Sequence, residues 1–313
     1  MNIVFAEPIG MTHTKKSIFN EEMLGLGHSV KYYNDVPSDQ EELFNRSIDA
    51  NILVVSNYLV SKEVVERLPN LKLIAIAFTG VDHIPFEYCK AKGIVVCNAA
   101  GYSTQAVAEL TMALAISLIR NIVPFDKITR TGGTRNGFLG GELNGKTFGI
   151  VGFGSIGERV AKLALAFGCK VITWSRSRKD IDGVEFVQLE QLLIGADIIS
   201  LHLPLNGSTK GLINEKSLGM MRANAILINT ARGPIVDYEA LLNALIQNKI
   251  AGAAIDVYEN EPPIKTNHPL FNAPNTIMLP HIGFATHEAI EDRSGIVTQN
   301  IRNWMNGTPS NAI

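Results

Sequence analysis

Cysteine is scarce in this chain of 313 residues: Cys89, Cys97 and Cys169 form an odd, scattered set with no C-x-x-C pair. That excludes a disulfide framework and leaves no zinc spacing, so buried thiols in a reducing compartment and no metal site are expected. Charge of one sign is lacking as well, since the formal net charge is −2 and only 19% of residues are charged. Such a balance makes no electrostatic case for nucleic acid or an anionic membrane, and small neutral or anionic ligands suit it better. Long apolar runs are missing too: the longest, "LTMALAISLI" at 110–119, is too short to span a bilayer. The N-terminus "MNIVFAEPIG" carries no basic segment leading into an apolar one, so the expected location is cytoplasmic.

What is present is a regular alternation. Short β-branched or aliphatic runs ("NIVFA" 2–6, "SVKYY" 29–33, "ILVVS" 52–56, "KLIAIAF" 72–78, "IVVC" 94–97, "FGIVG" 148–152, "KVITW" 170–174, "DIISLH" 197–202, "AILINT" 225–230, "AGAAID" 251–256 and "TIML" 276–279) are separated by stretches with helical spacing. Strands alternating with helices predict parallel sheets covered on both faces, an α/β fold. A single core stops growing near roughly 250 to 300 residues, so this length predicts two Rossmann-like domains with a ligand cleft between them. The runs fall into two groups, split by a helical pattern at about 102–119 and a loop-like "TGGTRNGFLGGELNGK" at 131–146. Beyond the last run, Ala289, Ile290, Ile296, Val297, Ile301 and Trp304 recur at mostly helical spacing. That final helix either closes its own domain or returns to the first.

The segment "GIVGFGSIGERVAKLALAFG" holds a G-x-G-x-x-G, Gly152 to Gly157, between a strand and a helix start. Glycines permit a tight turn and let a pyrophosphate reach the helix N-terminus, where free N–H groups and the helix dipole favour an anion. A glycine turn with only a packing role would read the same, but the strand–turn–helix context argues for the dinucleotide. In such a fold the next strand ends about 20 residues on, where an acidic side chain usually holds the adenosine ribose of NAD. Here that strand ends at Ser175, and Arg176, Arg178 and Lys179 follow with no carboxylate among them. A hydroxyl and guanidinium forks suit a 2′-phosphate, which points to NADP(H), with NAD(H) use open and a solvated surface turn the bland alternative.

Ligands of open α/β sheets lie beyond the carboxyl ends of the strands. The residues found there are Ser175; His202 with Pro204; Thr230, Ala231 and Arg232; Asp256; and His281. A reductase for a small oxo acid needs a fixed cation, a proton donor and a hydride source. Arg232 can supply the cation in bidentate geometry, and His281 can donate a proton near neutral pH, since imidazole titrates near about 6.5. Glu261, beyond the same strand as Asp256, could pair with His281 and stabilise its protonated form. Taken singly, Arg232 reads as well as a helix cap or ion-pair partner, Glu261 as surface and His281 as a turn residue; their shared location favours a site.

Through "GFGSIG" 152–157, "HLPLNGSTKGLIN" 202–214, "INTARGPIVD" 228–237, "AAIDVYENEP" 253–262 and "LPHIGFAT" 279–286, the chain resembles the D-isomer-specific 2-hydroxyacid dehydrogenases over nearly its whole length. The resemblance implies a catalytic trio of Arg232, Glu261 and His281. It implies that "AFTGVDHI" at 77–84 is the substrate loop, with backbone N–H groups near Thr79, Gly80 and Val81 binding the carboxylate. It further implies cofactor contacts at Thr104, Gly152, Gly154, Ser155, Ile156, Gly157, Ser175, Arg176, Arg178, His202, Pro204, Thr230, Ala231, Arg232, Asp256, His281 and, behind it, Gly283, with Asp256 near the nicotinamide amide. By the same resemblance residues 1–99 joined by 286–313 form a flavodoxin-like substrate domain, 100–285 the dinucleotide domain, and 120–146 the arm of a homodimer.

"WSRSRK" is similar to the NADPH-dependent glyoxylate and hydroxypyruvate reductases of the family, which makes those two acids the leading substrates. A chain ending at Ile313 leaves no room for the regulatory domain of many phosphoglycerate dehydrogenases, although a phosphoglycerate dehydrogenase-like activity stays an alternative. Formate dehydrogenases carry a glutamine where Glu261 stands, so that reading loses ground, as does phosphite oxidation on the same fold. A non-catalytic dinucleotide-sensing protein is the rival from another class.

Overall fold

The computed structural model describes residues 1–179, 181–260 and 263–313, and counts below refer to these described residues. They divide into two compact units, unit 1 comprising Met1–Ser103 with Ala285–Ile313 and unit 2 comprising Thr104–Phe284.

Unit 1 is built on five strands, β1 (Asn2–Phe5), β2 (Ser29–Tyr32), β3 (Ile52–Val55), β4 (Leu73–Ile76) and β5 (Val95–Cys97). Their order β2-β1-β3-β4-β5 is that of the flavodoxin-like sheet, and each pairing is parallel. "ILVV" in β3 and "LIAI" in β4 are buried at every position, as strands covered on both faces must be, whereas the edge strand β2 is half exposed. The connecting helices are α1 (His13–Gly25), α2 (Gln40–Ser47), α3 (Lys62–Glu66) and α4 (Phe86–Ala91). Thr12 and Asp39 start α1 and α2 by accepting the N–H of Lys15 and Glu42, which satisfies donors that have no partner inside the helix.

Unit 2 opens with α5 (Thr104–Ile119) and α6 (Ile122–Arg130) and continues through β6 (Thr147–Val151), α7 (Ser155–Ala166), β7 (Lys170–Trp174), β8 (Val184–Phe186), α8 (Leu189–Gly195), β9 (Ile198–Leu201), α9 (Glu215–Met220), β10 (Ile226–Asn229), α10 (Tyr238–Ile246), β11 (Gly252–Ile255) and β12 (Thr276–Met278). The sheet order β12-β11-β10-β9-β6-β7-β8 is the doubly wound dinucleotide order with a further strand at one edge. Side chains alternate across it. Phe148 and Ile150 of β6 enter one core with Met112 and Val160, while Val151 enters the other with Leu192, Leu227 and Leu241. Each such side chain contributes about 1.5–3 kcal/mol by leaving water.

β8 is a strand that the sequence pattern does not announce. "VEF" is three residues long with Glu185 exposed, and it becomes a strand only by pairing with β7 through Val171↔Val184 and Thr173↔Phe186. The C-terminal helix α11 (His287–Met305) belongs to unit 1: Arg302 binds Glu22 of α1 at 2.8 Å, and Asn300 donates to the Asn98 carbonyl at 2.8 Å. No single helix among the described residues is long and apolar enough to cross a membrane. The three cysteines are buried and free.

Candidate functional site

The topological switch of unit 2 falls between β6 and β9, and the glycine turn lies immediately past β6. Gly152 has φ +99°, and a Cβ there would run into the carbonyl oxygen of His202; a Cβ on Gly157 would run into the carbonyl of Gly152 itself. The turn therefore closes on backbone alone. It delivers Gly154 as the N-cap of α7 with no side chain occupying the helix N-terminus, while Ser155 is exposed and Ile156 half-buried. This cradle fits a dinucleotide pyrophosphate, which needs close backbone approach and unspent N–H groups.

Past β7, Ser175 is half-buried and Arg176 and Arg178 are exposed. Neither arginine has an ion pair or side-chain hydrogen bond among the described residues. Lys179, read from the sequence as the third member of this basic turn, is committed elsewhere: its Nζ lies 2.8 Å from Glu158 of α7, whose other oxygen binds Lys162 at 2.9 Å. The two ammonium groups hold the Glu158 carboxyl down at about 2. Past β9, His202 places Nε2 3.0 Å from Ser200 Oγ, and burial pushes its imidazole down to about 3, so it is neutral at physiological pH. The Pro204 carbonyl accepts from Thr209 Oγ1 at 2.7 Å, which folds the following loop back on the strand end.

The "NTARG" turn past β10 is wired by Asn229, which is fully buried. Its side chain accepts the Ala231 N–H at 3.1 Å and donates to the Arg232 carbonyl at 3.0 Å, fixing the backbone that carries the Arg232 guanidinium. Arg232 Nη1 donates to the Ala231 carbonyl at 2.7 Å, and Thr230 Oγ1 lies 3.3 Å from Thr111 Oγ1 on α5. Arg232 is half-buried and Thr230 and Ala231 are buried. Thr104 is half-buried at the first residue of α5.

Asp256, past β11, is 0% exposed, and its two carboxylate oxygens accept the N–H groups of Ile282 and Gly283, each at 2.8 Å. The residue before them, His281, stands at φ +57°, a left-handed conformation that costs a residue with a Cβ roughly 1–2 kcal/mol. Its ring meets that of Phe284 edge-on at 5.5 Å. The Asp256 carboxylate thus grips the two amides that follow the strained histidine, a role that the sequence alone does not reveal. Glu261, the third member of the expected trio, lies outside the described residues.

In unit 1 the loop past β4 is held from one side only. Asn98 Nδ2 donates to the Thr79 carbonyl at 2.7 Å, Ala99 N–H to the Phe78 carbonyl at 2.9 Å, and Ile84 N–H to the Val81 carbonyl at 3.0 Å. The carbonyls are thereby used, whereas the N–H groups of Thr79, Gly80 and Val81 meet no acceptor among the described residues. Three consecutive free donors form a concavity suited to a carboxylate.

A doubly wound sheet with an uncapped glycine turn at its switch point, and ionisable groups past successive strands, defines a nicotinamide-dinucleotide oxidoreductase. The comparisons with known proteins make this specific. Residues 112–283 match the model of the D-isomer specific 2-hydroxyacid dehydrogenase NAD binding domain. A glyoxylate reductase of Thermococcus litoralis is 44% identical over 82% of this chain and 80% of its own length. A hydroxypyruvate reductase of Thermotoga maritima is 40% identical over 82% of this chain and 85% of its own. Among solved structures, an acyclic imino acid reductase in complex with NADPH and D-Arg superposes with a TM-score of 0.90 at 32% identity, covering 100% of both chains. The chain belongs to the D-isomer-specific 2-hydroxyacid dehydrogenase family.

Proposed function

We propose that this enzyme reduces small 2-oxo acids, glyoxylate and hydroxypyruvate foremost, to D-2-hydroxy acids at the expense of NADPH. The observation that carries the reading is the run of N–H groups at Thr79, Gly80 and Val81 with no acceptor among the described residues, which suits the carboxylate shared by all such substrates. Unit 1 then serves as the substrate domain and unit 2 as the dinucleotide domain. When bound, the dinucleotide supplies the hydride. Arg232 orients the oxo acid through its guanidinium and polarises the carbonyl, and His281 donates a proton to the carbonyl oxygen as it gains charge. Glu261 completes the proposed trio as the partner of His281. Thr104, Gly152, Gly154, Ser155, Ile156, Gly157, His202, Pro204, Thr230, Ala231 and Gly283 line the cofactor site.

The preference for NADPH rests on Ser175 with Arg176 and Arg178, which have no partner among the described residues and can take a 2′-phosphate by charge-assisted hydrogen bonds. The working assembly is a homodimer: α6 has no buried residue, and Ile122, Val123 and Leu139 stand 47%, 39% and 83% exposed, an apolar face for a second copy. The enzyme works in the cytoplasm.

The test is loss of nicotinamide absorbance with NADPH and NADH in parallel, against glyoxylate, hydroxypyruvate, pyruvate and phosphohydroxypyruvate. Turnover fastest with NADPH and glyoxylate or hydroxypyruvate is expected. Phosphohydroxypyruvate as the best substrate would favour the phosphoglycerate dehydrogenase-like alternative, and tight dinucleotide binding without turnover would favour a sensing protein.

A further inference from the structure

In unit 1 the strand order reverses between β1 and β3, the position where an open α/β sheet takes its ligand. Here the chain fills that position with its own side chains. Glu7, just past β1 and 2% exposed, accepts at Oε1 the N–H of Ser56 at 2.6 Å and of Tyr58 at 3.0 Å, just past β3. Arg293 of α11, 6% exposed, donates through Nε and Nη2 to the Ile9 carbonyl at 3.2 and 2.9 Å, and through Nη1 to Ser56 Oγ at 3.3 Å. The reaction uses neither residue. Burying a carboxylate and a guanidinium is costly, and well-packed apolar side chains would stabilise a core at least as well.

The segment that Glu7 grips runs beside the substrate loop. β3 and β4 pair as far as Val55↔Ile76, and Ala77 N–H donates to the Val55 carbonyl at 2.7 Å, so the segments leaving the two strands start side by side. Val60 N–H donates to the His83 carbonyl at 2.9 Å, and Tyr58, Phe78 and Val81 pack on one core. Arg293 reaches the same loop from behind: its guanidinium lies 5.9 Å from the Tyr102 ring, whose centroid is 6.3 Å from that of Phe78. Half-buried Tyr58 thus belongs to the segment that leaves β3 and is joined to the Thr79–Val81 loop through Val60 and the shared core.

The geometry points to Glu7 as a positioning residue for substrate selection: by fixing the Ser56–Tyr58 segment it holds Tyr58 against the C3 end of an oxo acid whose carboxylate sits at Thr79–Val81. The inference rests on the proposed oxo acid reduction. Glyoxylate has no C3, and hydroxypyruvate carries a hydroxymethyl group there, so loss of the grip weakens hydroxypyruvate alone.

The experiment is steady-state kinetics with both acids at saturating NADPH for the wild type, Glu7→Ala and Glu7→Gln. Glu7→Ala is expected to raise KM for hydroxypyruvate about tenfold, with kcat and the glyoxylate KM within about twofold, since one lost contact of this kind is worth about a factor of ten. Glu7→Gln keeps an oxygen that accepts both N–H groups, and it restores the KM ratio. Equal KM changes for the two acids, or no restoration by glutamine, would overturn the inference. If Glu7→Ala does not fold, Tyr58→Leu takes its place and must shift the same ratio; an unmoved ratio overturns the inference as surely. A wild type inactive on both acids would overturn the proposed function itself, whereas an active wild type with an unmoved ratio in the variants overturns only this inference.

Discussion

Replacing Asp256 by Asn tests how His281 is held. The wild-type carboxylate takes the N–H of Ile282 and of Gly283, each at 2.8 Å, at a site with 0% exposure. Asparagine is nearly the same shape but has one oxygen, so one of the two amides faces an NH2 group. A hydrogen bond to a charged group contributes about 1.5–3 kcal/mol, and the amide left over stays buried without an acceptor. That loss is as large as the roughly 1–2 kcal/mol needed to keep His281 left-handed at φ +57°. The loop then relaxes away from the conformation that presents the imidazole. Because about 1.4 kcal/mol is a factor of ten in rate, kcat should fall ten- to hundredfold. The dissociation constant for NADPH, read by quenching of protein fluorescence, should move less than about threefold, a change of under 1 kcal/mol. A melting curve establishes that the variant is folded. Wild-type kcat in Asp256→Asn would refute the reasoning, and a loss confined to cofactor affinity would return Asp256 to the nicotinamide contact that the family resemblance implies.

Other perturbations address single groups. His281→Ala should lower kcat by about two to four powers of ten, the usual worth of a positioned general acid, while NADPH still binds; undiminished turnover would remove His281 from the reaction. Ser175→Asp should set a carboxylate against the 2′-phosphate and raise KM for NADPH about ten- to hundredfold relative to NADH, and an unaltered ratio would show that Arg176 and Arg178 do not read the phosphate. His202, neutral in the fold with its pKa pushed down to about 3, stays uncharged where an unfolded histidine begins to protonate below about 6.5. Its contribution to stability is complete above that pH and is lost progressively as pH falls toward 3, because protons go to the unfolded chain. Urea midpoints between pH 7 and 4.5 should therefore fall more steeply for the wild type than for His202→Gln; parallel curves would show that His202 is not the group concerned. Ile122→Lys should shift the assembly toward monomer in light scattering, and an unchanged mass would place any dimer contact elsewhere.

The sequence by itself determined the architecture, because parallel strands buried on both faces must be written as mostly aliphatic runs. "ILVV", "IISL" and "ILIN" can be little else, and the glycines of 152–157 mark a turn where a side chain would strike backbone. Residues past the strands were legible for the same reason, since chain order alone places Arg232, Asp256 and His281 at carboxyl ends. β8 was not legible: three residues with an exposed glutamate carry no pattern, and pairing with β7 makes them a strand. Nor could the sequence say which polar groups are already engaged. Lys179 reads like its neighbouring arginines until Glu158, 21 positions away, is seen to hold it. The sequence places Asp256 past a strand and does not mark Glu7 at all, yet both carboxylates are engaged by amides 26 to 51 positions away. Periodicity records which face of an element is dry, a local property repeated along the chain. The partner of a buried charge is a single long-range contact that leaves no repeat, and only the tertiary structure decides it.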